Sequence, residues 1–286
     1  MRVGFIGLGS MGGSQARQLA KTVPELVVYD AFPQAMKPFE GLAALGQSVA
    51  DVGRRSECVG VCVRDDQQVR EVLEGDFGLI AAMARGSVIL IHSTVRPETI
   101  KDLAAEAARR GVIVIDAAVT RTVISGEGRF VCTMTGGAEA VTDRVRPVLD
   151  AFSTDIVHVG EVGSAMALKI CNNLVTWVQI LISRQCFRLA EAGGVPLDKL
   201  AQVMKSNGAL TPVMASMMNN PLRFDSDGDR LVFMESQGRI GEKDLELAIS
   251  LAEEVGVPLP TAVHAKEHVL DTMTGRLFQQ RSVQAG

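Results

Sequence analysis

The sequence predicts an α/β protein in which a doubly wound parallel sheet fills residues 1–161. An all-helical domain follows over residues 162–286, and one long helix joins the two. Three observations carry this reading. Short, near-continuous apolar runs alternate with amphipathic stretches through the first half, as in strands buried on both faces. From Gly163 to about Ala192 no strong breaker interrupts a helical recurrence of apolar residues. Beyond that point only helical patterns remain.

The elements follow in order. Val3-Gly4-Phe5-Ile6 is a short buried strand that breaks into Gly7-Leu8-Gly9-Ser10-Met11-Gly12 and then a helical stretch, Ser14 to Lys21. A second run, Leu26-Val27-Val28-Tyr29, ends in Asp30. Further strands are expected at Cys58–Val63, Val88–Ile91, Val112–Ile115, Val131–Thr135 and Asp155–Val159, with a helix from Pro97 through Arg109. The long helix spans nearly thirty residues, roughly 45 Å at about 1.5 Å per residue, and Gly193-Gly194-Val195-Pro196 ends it. Helices are expected at 197–206, 243–255 and 262–275. No internal repeat or low-complexity segment is present.

Composition narrows the function classes. The 286 residues suffice for two domains, and 47% hydrophobic with 22% charged residues is ordinary for a globular protein. A net charge of −4 argues against a nucleic-acid or anionic-membrane partner but leaves room for a small anionic ligand. No signal peptide and no transmembrane-length apolar run is read, so no membrane partner is expected. Five cysteines in apolar surroundings (Cys58, Cys62, Cys132, Cys171, Cys186) read as buried free thiols of a cytoplasmic protein.

Chemistry concentrates in four segments. Strand, Gly-x-Gly-x-x-Gly, helix and a terminal acid about 20 residues on form a dinucleotide site. In it Gly9 admits a pyrophosphate, Gly12 permits close helix–strand packing, and the helix N–H groups face the phosphates. Asp30 accepts from a ribose 2′-OH and repels a 2′-phosphate, and no Arg follows it, so NAD is expected before NADP. In the long helix Lys169, Asn172, Asn173 and Thr176 stand at i, i+3, i+4 and i+7 on one face. A buried amine there exchanges a proton with a substrate oxygen, whereas a solvent-facing stripe is the plainer alternative.

Asp116-Ala117-Ala118-Val119-Thr120-Arg121-Thr122 comes off a buried strand at the ligand-binding edge. The Thr120–Arg121–Thr122 triplet suits an oxyanion, unless it is an ordinary polar loop. His92-Ser93-Thr94 either touches the nicotinamide or substrate or supplies a helix N-cap. Lys243-Asp244-Leu245 is read as a helix start after Gly241, with Lys243 a cofactor or substrate contact and Asp244 favouring the helix dipole. His264 and His268 at i, i+4 could bind a metal. With no third ligand suggested they read as a surface pair, and no metal is expected.

The glycine loop, Asp-Ala-x-Val, Gly-x-x-x-x-x-Lys-x-x-x-Asn and Lys-Asp-Leu occur in this order over residues 1 to about 270. Together they resemble the β-hydroxyacid dehydrogenases, the group of 3-hydroxyisobutyrate and tartronate semialdehyde reductases. The resemblance implies a Rossmann domain, a helical domain and an active site between them. It implies Lys169 as catalytic acid/base, Asn173 as substrate orienter, and Thr94 and Lys243 near the nicotinamide. It also implies helical domains that associate, as a homodimer or homotetramer.

Two departures stand out. The family segment Asp-Ala-Pro-Val-Ser-Gly-Gly is replaced here by Thr120, Arg121 and Thr122 at its end, a variant similar to that of sulfolactaldehyde reductases. In that subgroup Asn172 and Thr176 lie where further anion contacts are made. After the expected Cys58–Val63 strand, Val63-Arg64 stands where the family commonly has Leu-Pro in the cofactor loop. The expected activity is hydride transfer between NAD(H) and a small anionic 3-hydroxy acid or its semialdehyde. The alternatives are a sulfolactaldehyde-type reductase and an imine or other carbonyl reductase. A non-catalytic dinucleotide sensor is disfavoured by the intact Lys169–Asn173 pair.

Overall fold

A computed structural model describes residues 1–126, 129–219 and 228–279. The chain divides into two compact units, Met1–Lys169 and Ile170–Gly286.

In the first unit the strands are β1 (Val3–Ile6), β2 (Val27–Tyr29), β3 (Ala44–Leu45), β4 (Cys58–Val61), β5 (Val88–Ile91), β6 (Ile113–Gly126), β7 (Arg129–Gly136) and β8 (Ser153–Gly160). They form one sheet in the order β3-β2-β1-β4-β5-β6-β7-β8. Pairing is parallel except between β6 and β7. Sequence order reverses between β1 and β4, the switch point where open α/β sheets take their ligands. The helices are α1 (Ser10–Thr22), α2 (Pro33–Met36), α3 (Val49–Arg55), α4 (Asp66–Leu73), α5 (Leu79–Ala82), α6 (Pro97–Arg110), α7 (Glu139–Leu149) and the start of α8 (Ser164–Ala192).

Both sheet faces are covered, which explains the unbroken apolar strands. One face packs Val59, Ile89, Val114 and Ala118 against Leu73, Ile100 and Met166. The other packs Phe5, Leu90, Ile115 and Val119 against Leu19, Val145 and Leu149. Burying a Leu or Ile side chain contributes about 1.5–3 kcal/mol, so these two layers dominate the unit's stability.

The second unit contains the rest of α8, then α9 (Leu197–Ser206), α10 (Pro212–Asn219), α11 (Gly228–Val255), α12 (Pro260–Thr274) and α13 (Arg276–Gln279). Trp177 and Leu181 of α8 pack with Leu245, Ala265, Val269 and Met273. Ile170 packs with Leu247 and Ala248, and Phe187 with Met204 and Met214.

Four expectations are corrected. Lys243 does not follow a helix start: α11 already runs from Gly228, and Gly241 lies inside it. A Cβ on Gly241 would sit 2.7 Å from Val269 and 3.0 Å from Trp177, so this glycine serves close packing rather than a break. Residues 116–122 do not leave the sheet as a loop but continue β6. Helix α8 is long and apolar enough to cross a membrane by length and composition. Its Ala165, Met166, Ile170, Trp177, Leu181 and Phe187 are instead buried in protein. Of the five cysteines Cys58 is buried and Cys171 is exposed, with the other three between; no disulfide joins them.

Candidate active site

Four of the expected cofactor segments leave carboxyl ends of neighbouring parallel strands in the first unit. Gly7 to Gly12 follow β1, Asp30 follows β2, Val63 and Arg64 follow β4, and Thr94 follows β5. Gly7 has φ +90°, and a Cβ there would lie 2.3 Å from the Cys62 carbonyl oxygen. A Cβ on Gly12 would lie 2.0 Å from the Gly7 carbonyl oxygen, so α1 can approach β1 only without one. Gly9 differs: a Cβ there meets nothing within 4 Å.

The α1 N-terminus, with Gly9 as N-cap, has no acidic residue in its first turn and no side chain capping it. Open space, orphan N–H groups of Ser10 and Met11 and an uncompensated positive helix end fit a pyrophosphate. Asp30 holds this cradle in shape, accepting from the Leu8 N–H at 2.7 Å and the Phe32 N–H at 2.9 Å. Each carboxylate oxygen keeps a further lone pair for a ribose hydroxyl.

The β4 and β5 ends meet where the Val63 N–H donates to Ser93 Oγ at 2.8 Å. The exposed Arg64 turns to Asp65 at 3.7 Å. Helix α6 begins at Pro97 with Arg96 as N-cap, so Ser93 and Thr94 are not its caps. His92 is a core residue. Its Nδ1 lies 2.7 Å from the Ala117 carbonyl oxygen, and its ring stacks on Phe5 and meets Phe152 edge-on. Burial pushes its pKa down to about 4, so it is neutral near pH 7.

Asp116 positions the helix that carries the candidate catalytic groups. Fully buried on β6, it accepts from the N–H groups of Gly163 at 3.0 Å and Met166 at 2.9 Å, thereby capping α8. Gly136, opposite it on β7, has no room for a side chain: a Cβ would lie 2.4 Å from Asp116 Oδ1.

One turn beyond Met166 is Lys169, 7% exposed. Alternation along β6 turns Thr120 to the same sheet face as Asp116 and Ala118, toward α8, and Arg121 to the opposite face with Val119. The Arg121 guanidinium lies over the Phe130 ring, 5.7 Å from its centroid. The strand thus separates the polar triplet that the sequence reading placed on one anion. Thr122 lies beyond the last regular pair, where the register shifts. Cys132 pairs with Thr120 on one side and Asp155 on the other. Burial and then Asp155 raise its thiol pKa, while the Lys169 charge works against both. Lys169 is therefore within electrostatic reach of the Thr120–Cys132 pair.

In the second unit Asn173 Nδ2 donates to Asp244 Oδ2 at 2.8 Å, and Trp177 Nε1 donates to the same oxygen at 3.1 Å. The Lys243 ammonium lies 3.4 Å from Asp244 Oδ1. Asp244 is thus the residue that sequence reasoning undervalued. Its place in the sequence suggests only a helix dipole, whereas its buried carboxylate fixes Asn173 and pairs with Lys243. An acid aligned with an amide one helix away leaves no local signal beyond the Lys-Asp-Leu spacing. Asn172 Nδ2 reaches Asn173 Oδ1 at 3.5 Å, and the Thr176 hydroxyl donates back to the Asn172 carbonyl at 2.9 Å.

The fold and the cradle define a dinucleotide-binding protein. The profile of the NAD binding domain of 6-phosphogluconate dehydrogenase matches residues 2–163, and that of the NAD-binding domain of NADP-dependent 3-hydroxyisobutyrate dehydrogenase matches residues 163–282. An uncharacterized oxidoreductase of Mycobacterium tuberculosis is 31% identical over 264 residues, covering 91% of this chain and 89% of its own. A probable mitochondrial 3-hydroxyisobutyrate dehydrogenase of Dictyostelium discoideum is 29% identical, covering 90% and 81%. The crystal structure of a 3-hydroxyisobutyrate dehydrogenase from Salmonella typhimurium superposes with a TM-score of 0.78 at 26% identity, covering 94% and 93%. The chain belongs to the β-hydroxyacid dehydrogenase family, and it is an NAD(P)-dependent oxidoreductase resembling 3-hydroxyisobutyrate dehydrogenase.

Proposed function

We propose that this protein interconverts a small 3-hydroxy acid carrying an anionic group with its semialdehyde, using NAD(H), with Lys169 as general acid/base. The observation that carries the reading is the placement of Lys169. It is a nearly buried amine one turn past a helix start that Asp116 pins to the sheet bearing the dinucleotide cradle. The nicotinamide, when bound, supplies or accepts the hydride. In reduction Lys169 gives a proton to the developing alkoxide, and in oxidation it takes one from the hydroxyl. Asn173, held by Asp244, orients the reacting oxygen. Thr120 offers a hydroxyl on the Lys169 side of β6. Asp30 favours NAD because a 2′-phosphate would meet its carboxylate.

The test is NADH oxidation with matched semialdehydes, one series bearing a carboxylate and the other a sulfonate. Turnover of the carboxylate series, reduced about 10²–10⁴-fold in a folded Lys169→Ala variant, supports the proposal. Near-normal turnover in that variant would overturn the mechanism, and lower KM for NADPH would overturn the cofactor preference. A strong sulfonate preference would identify a sulfolactaldehyde-type reductase instead.

We also propose a homo-oligomer that pairs through α8, and a cytoplasmic location in keeping with the absence of disulfides among the five cysteines.

A further inference from the structure

Helix α12 is held against the second unit's core by Ala262, Ala265, Val269 and Met273, all buried. Residues three and four apart share a helix face, and His264, Glu267 and His268 come together on the side away from that core. The two imidazole centroids lie 4.6 Å apart with the rings at 70°. One donor atom from each of the three side chains lies within 4.8 Å of the others. Glu267 is the third ligand that a pair of histidines at i, i+4 lacks. Lys266, the cation nearest in sequence, is drawn to Glu246 on α11.

We propose that His264, Glu267 and His268 form a binding site for a divalent transition metal ion such as zinc, separate from the dehydrogenase groups. Two imidazoles and a carboxylate are borderline-to-hard donors that suit Zn²⁺, Ni²⁺ or Cu²⁺ better than Ca²⁺ or Mg²⁺. A tetrahedral zinc with ligand bonds of about 2.0–2.1 Å holds its donors roughly 3.3 Å apart. Closing from 4.8 Å needs only rotation of side chains that are free to move: His264 and Glu267 are exposed and His268 is half-buried. The helix backbone, fixed by its buried face, need not shift.

The same His-x-x-Glu-His spacing serves metallopeptidases when a further protein ligand completes the site. Among the described residues none joins these three. Water takes the fourth position, and with Glu267 used as a ligand none of the three side chains is left as a general base, so the assignment is to binding rather than hydrolysis. An ion spanning one turn of α12 would clamp that turn and stabilise the folded state by mass action.

The experiment uses the full chain, cleared of metal by a chelator, titrated with Zn²⁺ by calorimetry and with Co²⁺ by visible absorption. Single-ion binding with cobalt bands lacking thiolate charge transfer is expected. His264→Ala or His268→Ala should weaken it by about tenfold or more, or about 1.4 kcal/mol per tenfold, and Glu267→Gln should weaken it measurably. Thermal melts of the three variants without metal should match the parent, showing that they fold. No binding, equal binding in the His264→Ala/His268→Ala double variant, or a thiolate band that places the ion on cysteines would overturn the site.

Discussion

Asp244 shows how much one buried carboxylate can arrange. One of its oxygens receives two donors, from Asn173 and Trp177, while the other faces the Lys243 ammonium. Asp244→Asn keeps the volume but removes the charge that holds Lys243 and swaps one oxygen for a donor. Steady-state kinetics should show kcat reduced about tenfold or more, the size of a lost supporting contact, with folding preserved. An unchanged kcat with only a lower Tm would reduce Asp244 to a packing residue.

His92 makes the opposite case, a titratable group that reads as functional and is structural. Its pKa falls from 6.5 to about 4 because burial disfavours the cation. The unfolded chain therefore binds a proton between about pH 6.5 and pH 4 that the native chain refuses, so stability declines as pH falls through that window. The full effect is on the order of 3 kcal/mol. Urea melts at pH 7 and pH 5 should show a smaller difference in His92→Phe than in the parent, and equal differences would contradict this reading.

At the scale of elements the glycine loop separates packing from binding. Gly12→Ala forces a Cβ to 2.0 Å from a backbone oxygen, whereas Gly9→Ala enters open space. Gly12→Ala should destabilise by about 1–3 kcal/mol. Gly9→Ala should cost no more than about 1 kcal/mol yet weaken NADH binding in a fluorescence titration. Loss of stability in Gly9→Ala with intact binding would contradict the cradle. Elements whose signals are local were legible in the sequence. Helix α9 matches the expected 197–206, and α8 ends at Ala192, as the following glycines and proline require. Gly241 misled because a glycine needed for contact with Trp177 and Val269 looks in one dimension like a helix break. Asp116 was legible as a strand residue, but neither the continuation of the strand past it nor its capping of a helix 47 residues away was.

For the whole molecule, the face of α8 left uncovered matters most. Leu168, Val175, Ile182 and Leu189 are 40%, 56%, 51% and 74% exposed at intervals of seven residues. This is the spacing of a seam between paired helices. Sedimentation should find a dimer or tetramer, and Ile182→Glu with Leu189→Glu should shift it toward monomer with the fold intact. A monomeric parent protein would contradict the pairing.

The boundary between the units falls after Lys169, eight residues beyond the end expected from the strand pattern. A gene fusion that exchanged the second half after residue 161 would take Gly163 and Met166 from a foreign parent and leave the recipient's Asp116 facing a strange helix start. A crossover placed after Lys169 would keep acid, helix start and lysine together as one heritable piece. Relatives shuffled at that seam should inherit the lysine and its support from the first parent, and Asn173 with its partner Asp244 from the second.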